Sequence, residues 1–288
     1  YGSVVNAIDV MKEGVFDYLT TPFEKDVLKM AVTRALKMSS LTIENKYLRQ
    51  ELESQYDFRN IVGNSPQIID ALRLVGEVSK TGSTVLITGE SGTGKELIAR
   101  AIHFNSNSAC GPLIVMNCAA IPENLLESEL FEYERGEFNN ENKTKKGRFE
   151  LAAGGTFFMD EISEMSVAIQ AKVLRVVEAK ELERLGGTET IKVDVRIICA
   201  TNKNLQELVK LGKFREDLYY RLSTVDITLP PLRDRKDDIH LLFRKFAADF
   251  AHKYKMPPIK LDDNAVHLLQ KFRWSGNIRQ LRNVAEQI

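Results

Sequence analysis

The sequence predicts an α/β fold: a parallel sheet with helices on both faces, followed by a small helical domain. Three observations carry this. Apolar runs at 83–88, 113–117, 155–161 and 194–202 alternate with segments of helical period. Strands apolar along their whole length belong to sheets buried on both sides. The first run leads into a glycine-rich turn at 89–96, and a helical pattern opens directly behind it. After Leu229-Pro230-Pro231-Leu232 the strands stop, and residues 237–254 and 262–288 read as helices only.

The turn reads Gly89-Glu90-Ser91-Gly92-Thr93-Gly94-Lys95-Glu96. Strand, glycine-rich turn and helix in that order are the context of a phosphate-binding loop. The glycines let successive N–H groups point inward, and the helix N-terminus adds positive potential. Lys95 is placed to reach the β- and γ-phosphates of a nucleotide. A glycine turn that merely precedes a helix would explain the loop but neither flank. Behind it Leu97, Ile98 and Ile102 are expected to form one buried face. Most such loops carry Ser or Thr after the lysine as a magnesium ligand; this one carries Glu96, so a metal must lean on water and on a carboxylate elsewhere.

Asp160 and Glu161 end the third apolar run, after Phe157-Phe158-Met159. On a strand they would face opposite ways, but at its end the chain can turn and present both. Burying two carboxylates is costly unless a cation compensates, and Lys95 with magnesium would do so. Asp160 suits the metal shell, and Glu161 suits the orientation of an attacking water. A solvated surface pair is the alternative. The second and fourth runs also end in polar residues, at Asn117 and at Thr201-Asn202. Ligands of such sheets gather beyond the carboxyl ends of the strands, where all four polar clusters fall.

The 288 residues point to roughly two domains and to a sizeable core. Forty basic and forty acidic residues cancel, so no global field argues for nucleic acid or a membrane. Cys110, Cys118 and Cys199 lie far apart and without metal-ligand spacing. They read as reduced, half-buried thiols of a cytoplasmic protein. No apolar run reaches the ~20 residues of a membrane span.

Ahead of this core, residues 3–14 carry an apolar helical face, 15–19 a short strand, and Thr20-Thr21-Pro22-Phe23 a turn into a second helix from about Glu24. This resembles the last third of a two-component receiver domain, with Thr21 where that family has lysine. An unrelated α/β segment is the alternative. The chain starts at Tyr1, inside what reads as a structural unit, and is expected to be a fragment. The second helix continues without a breaker through Leu41, Leu48 and Leu52, whose spacing fits a short coiled-coil dimer or a helix packed on its own domain. Residues 56–60 are expected to form a hinge. Ser65 is placed to cap the helix that starts at Pro66. The expected divisions are 1–38 (receiver remnant), 39–59 (linker helix), 60–232 (α/β core) and 233–288 (helical lid).

The loop at 89–96 with its Glu96, Asn117-Cys118-Ala119-Ala120, Leu126-Glu127-Ser128-Glu129-Leu130-Phe131, residues 155–161 and 194–202, and Phe214-Arg215-Glu216-Asp217-Leu218-Tyr219-Tyr220-Arg221-Leu222 recur together in one family. The chain from about 60 to 288 resembles the central AAA+ domain of sigma-54-dependent transcriptional activators of the NtrC type. The resemblance implies an ATPase using ATP and Mg2+. It counts Ile61 and Val62 among the nucleotide-binding residues, makes Asn117 a switch on Glu161, and makes Thr201 and Asn202 a first sensor of the γ-phosphate. Arg215 and Arg221 become fingers reaching a neighbouring subunit's site, although Asp217 and Arg221, one turn apart, could simply be a surface pair. Arg279 becomes a second sensor on the lid. Ser275 stands where the family has proline, which predicts a looser start to that helix.

The resemblance further implies partners: a second copy in a resting dimer, a hexameric or heptameric ring when active, sigma-54 RNA polymerase, a sensor histidine kinase, and DNA through a C-terminal module outside this chain. One motif departs. The family's sigma-54 loop reads Gly-Ala-Phe-Thr-Gly-Ala, whereas this chain keeps Gly136 and Phe138 but carries Glu137, Asn139, Asn140 and Glu141. Two added carboxylates and a lost glycine change the charge and freedom of the tip. Two readings follow: an ATPase that remodels sigma-54 polymerase, or a regulator independent of sigma-54 that uses nucleotide to control assembly and DNA binding. A small-molecule kinase would leave the finger and sensor motifs unexplained. His103, His240, His252 and His267 receive no function.

Overall fold

The computed structural model describes residues 15–17, 19, 22–131, 146–184, 189–257 and 259–288. The chain falls into two units, Tyr1–Gln55 and Tyr56–Ile288. In the first, the helix Lys25–Gln55 runs unbroken for 31 residues and buries none of them. Leu41, Leu48 and Leu52 are all exposed. The helix predicted at 3–14 lies outside the described residues. The strand predicted at 15–19 is not formed at 15–17. A lone extended segment needs a neighbour for its backbone groups, and no described strand pairs with it.

The second unit is built on a five-stranded parallel sheet in the order β2-β3-β6-β1-β7. Its strands are β1 (Val85–Thr88), β2 (Leu113–Asn117), β3 (Thr156–Asp160), β6 (Arg196–Thr201) and β7 (Val225–Thr228). The four predicted strands are all present. Alternate residues serve opposite faces: Leu86, Phe157, Met159 and Cys199 enter one apolar cluster, and Val85, Ile87, Phe158 and Ile198 the other. The sequence reading missed β7, because polar Asp226 and Thr228 break the continuous apolar run that marks the other four strands. It also missed the hairpin of β4 (Glu181–Glu183) and β5 (Thr190–Lys192), each only three residues long.

The register aligns the strand ends. Thr88 sits level with Thr201 and Thr228, and Asn117 with Asp160. Helices cover both faces, among them Pro66–Ser79 and Lys95–Phe104 on one side and Val167–Ala179 on the other. In Lys95–Phe104 the buried face is Ile98, Ala99, Ala101 and Ile102, whereas Leu97 is exposed, one position off the predicted stripe. Cys118 and Cys199 are buried and Cys110 is exposed, so none of the three is half-buried as expected. Burial pushes the Cys118 thiol up to about 12, so it stays protonated at neutral pH.

Residues 56–60, expected as a hinge, open the second unit and are packed on it. Tyr56 stacks on Phe104 at 5.3 Å, its carbonyl accepts from Asn105 Nδ2, and Phe58–Asn60 is a turn of 3-10 helix. The aromatic side chains anchor this stretch to the second unit.

The lid consists of helices Lys236–Tyr254, Asp263–Lys271 and Asn277–Gln287 around Leu232, Phe243, Trp274 and Leu281. It is fastened to the core by Asp238, which is fully buried. Its carboxylate accepts from Asn64 N at 2.6 Å, Ser65 N at 3.1 Å and Ser65 Oγ at 2.8 Å. Ser65 therefore spends its hydroxyl on the lid rather than on capping its own helix. Burial pulls the Arg235 guanidinium down, and the charge of Asp238 opposes that shift. Asp238→Ala is expected to destabilise the second unit by about 3 kcal/mol or more, because it orphans three donors and an opposing charge. Chemical denaturation would measure this, with Asp238→Asn expected to fall between.

Candidate nucleotide-binding site

The phosphate loop leaves β1 at Gly89, where an added Cβ would lie 2.9 Å from Leu229 O. Gly92 has φ +79, and a Cβ there would come within 2.5 Å of Gly276 O on the lid. The loop must be glycine at both points for its own turn and for the close approach of a neighbour. It ends at Gly94, the N-cap of Lys95–Phe104.

Lys95 is only 7 % exposed. Its Nζ donates to Gly89 O at 2.8 Å and Glu90 O at 3.3 Å, and stands 3.6 Å from Glu161 Oε1. Glu161 has a left-handed backbone, φ 51, which makes the sharp turn off β3 that presents both acids. A non-glycine residue held there is strained, and such strain collects at functional sites. Its other oxygen, Oε2, accepts from Asn202 N at 3.1 Å. Asp160 Oδ1 accepts from Glu161 N at 3.0 Å. Thr201 Oγ1 donates to Ser163 Oγ and accepts from Lys203 N. Lys95, Asp160, Glu161, Thr201 and Asn202 thus meet beyond the sheet's carboxyl end.

Other predicted residues stand differently. Asn117 is level with Asp160, but its Oδ1 accepts from Ala119 N and does not bond Glu161. The Glu96 side chain turns away from the loop to pair with Arg100 at 2.7 Å, an i,i+4 pair on the helix surface. Ile61 packs on the core cluster and Val62 on the lid cluster, so the two straddle the seam. Arg279 Nη1 donates to Ser91 Oγ at 3.3 Å, which brings the lid to the loop. The Asp217–Arg221 surface pair, the alternative to the finger reading, is not formed. Asp217 takes the nearer Arg215 in a two-pronged contact, at 3.0 and 2.7 Å. The hydrogen bond from Arg215 holds the Asp217 carboxyl below its ordinary range. Arg221 is exposed, and neither arginine bonds to Lys95 or Glu161 of its own chain. Residues 135–141, which carry the motif that departs from the family, lie outside the described residues.

The sequence reading missed three residues at this site: Glu90 as a charged partner, Arg233 and Asn277. Arg233 Nη2 and Nη1 reach Glu90 Oε1 and Oε2 at 2.6 and 2.9 Å. That pair, then Asn277, lowers the Glu90 carboxyl to about 2. The pairing is fully present above the ordinary carboxylate value of 4.5 and is lost only as pH falls toward about 2. The lid helix does not start loosely at Ser275. Trp274 Nε1 donates to Leu269 O, Asn277 N to Trp274 O and Ile278 N to Gly92 O, which fixes the turn without proline. The signal available in the sequence was Gly276-Asn277, a pair that tolerates unusual backbone angles just before a helix.

Among the described residues no three His, Cys, Asp or Glu side chains form a metal cage. Magnesium takes one or two carboxylates and completes its shell with water and phosphate oxygens. Asp160 beside the loop is a donor set of that kind. A separate cavity of about 410 Å³ near Val176 and Leu182 contains none of these residues in its walls.

Residues 61–228 match the family model for the sigma-54 interaction domain, and 233–288 match that for the AAA+ ATPase lid domain. The regulatory protein AtoC of Escherichia coli is 48 % identical over 287 residues, which are 100 % of this chain and 62 % of AtoC. The nitrogen fixation protein VnfA of Azotobacter vinelandii is 48 % identical over 86 % of this chain and 48 % of its own length. The chain thus spans about half to two thirds of these relatives. The crystal structure of NtrX from Brucella abortus in complex with ATP superposes with a TM-score of 0.77 at 38 % identity, over 99 % of this chain and 61 % of that one. Yeast Hsp104, at 17 % identity and a TM-score of 0.58, shares the fold. On the match of its α/β core and its lid, the chain belongs to the family of the sigma-54 interaction domain, an AAA+ fold with a helical lid.

Proposed function

We propose that this chain hydrolyses ATP and, assembled with copies of itself, remodels sigma-54 RNA polymerase to activate transcription. The observation that carries the reading is the buried approach of Lys95 to Glu161 beneath the phosphate loop. Lys95 draws on phosphate oxygens in place of Gly89 and Glu90 carbonyls. Glu161, held by Asn202 N, accepts a proton from the attacking water. Asp160 would hold a magnesium ion, which neutralises charge on the phosphates. Thr201 and Asn202 link the γ-phosphate region to Glu161, and Arg279 contacts the nucleotide from the lid, with Ile61 and Val62 flanking it at the seam. Asn117, one strand from Asp160, takes Glu161 when it leaves its cap on Ala119.

Arg221, exposed on its own chain, is supplied to a neighbouring subunit, and Arg215 joins it on release from Asp217. This makes the active form a ring of six or seven copies. The exposed heptad Leu41, Leu48 and Leu52 supports a resting dimer through the helix Lys25–Gln55. A sensor histidine kinase upstream and DNA contact through a further module follow from the receiver resemblance of the first residues and the likeness to the regulatory protein AtoC. The family match runs through residues 136–141 and favours sigma-54 engagement over the independent regulator.

The test is transcription from a sigma-54 promoter with the native loop and with the loop restored to Gly-Ala-Phe-Thr-Gly-Ala. Activation by the native chain is the expected result. ATP hydrolysis with activation only after restoration would instead establish the independent regulator.

A further inference from the structure

The lid contributes more to the phosphate loop than a sensor arginine. Asn277 is polar, fully buried and left-handed, with φ 52. Both ends of its amide are used. Oδ1 accepts from Leu232 N at 2.8 Å, where the core passes into the lid. Nδ2 donates to Glu90 Oε2 at 3.2 Å and to Ser91 O at 3.0 Å, both in the loop. The next residue, Ile278, donates its N–H to Gly92 O at 3.0 Å. Three consecutive loop residues are therefore held by the first two residues of one lid helix.

The electrostatics give this arrangement a purpose. A loop that collects anions gains nothing from a carboxylate of its own, since like charges repel at close range. Glu90 is nevertheless part of it. Arg233 neutralises that carboxylate with a two-pronged pair, and Asn277 fixes its orientation on the lid side. Free of these partners, Glu90 would oppose a triphosphate and the loop would lose its shape.

We infer that Asn277 is a positioning residue for the phosphate loop: it holds Glu90 and Ser91 toward the lid, so that the loop fits a triphosphate only while the lid is docked. The inference rests on the nucleotide reading above. It concerns a residue that acts through the loop, and the contact of Arg279 with nucleotide is a separate matter.

The test is the affinity of the full chain for Mg-ATP, with thermal melting alongside. Asn277→Asp keeps the left-handed backbone and the acceptor for Leu232 N, but turns a carboxylate oxygen toward Glu90. It is expected to weaken ATP binding by roughly tenfold or more. Glu90→Gln added to it removes the second of the two facing negative charges and is expected to recover part of that loss. A purely structural role would move the melting point and leave the affinity of the folded protein alone. Should Asn277→Asp not fold, Asn277→Gly removes the side chain without backbone strain and is expected to show the same weakening.

Unchanged affinity in whichever variant folds, or no recovery on adding Glu90→Gln, would overturn the inference. Wild type that binds no ATP would overturn the nucleotide reading, and this inference with it.

Discussion

Glu161→Gln is expected to lower ATP turnover by at least about 10²-fold while leaving ATP bound. The substitution keeps the shape of the side chain and an oxygen that can accept from Asn202 N, so the turn after β3 has no reason to move. It removes the basic oxygen that takes a proton from water. It also removes the negative partner 3.6 Å from Lys95, which leaves the charge of the ammonium for phosphate. Affinity should therefore hold or improve. Equal turnover in the variant would dismiss Glu161 as the base. Loss of binding with loss of turnover would mean that the Lys95–Glu161 pair serves structure instead.

Arg221→Ala is expected to lose turnover by about 10³-fold or more without weakening the fold. The side chain is exposed and makes no bond to its own phosphate-loop centre, so its removal costs little stability. A cation confined to its own subunit at this position would be idle; one delivered to a neighbour would meet the charge that develops on the phosphoryl group. Mixtures of variant and wild type distinguish these cases. Rates that depart from linear mixing place the arginine in trans, while strictly additive rates would show that each chain works alone. Arg215 is a weaker choice for the same experiment, because Asp217 already holds it and its removal frees an acid as well.

The sequence announced what repeats along the chain and hid what depends on meeting at a distance. Apolar strands, the glycine turn and the acids after Phe157-Phe158-Met159 are local patterns, and all appear where expected. The edge strand β7 escaped because half of it faces water, and the three-residue strands of the hairpin are shorter than any pattern. Capping by Ser65 was a sound local expectation, overridden by Asp238, which lies 173 residues further on. Asp217 lay in reach of both Arg215 and Arg221, and the shorter span won. Asn277 and Arg233 were invisible for the same reason. Nothing near either residue in the chain names Glu90, and only the docked lid brings the three together.

The central claim is that a triphosphate sits on the loop at 89–96 with Lys95 upon it and Glu161 beside it. A crystal structure of the Glu161→Gln chain with Mg-ATP tests this most directly. The account predicts phosphate oxygens on Lys95 Nζ at hydrogen-bonding distance, about 3 Å, with the magnesium held through Asp160. Nucleotide bound at any other place, with Lys95 still on the carbonyls of Gly89 and Glu90, would contradict it.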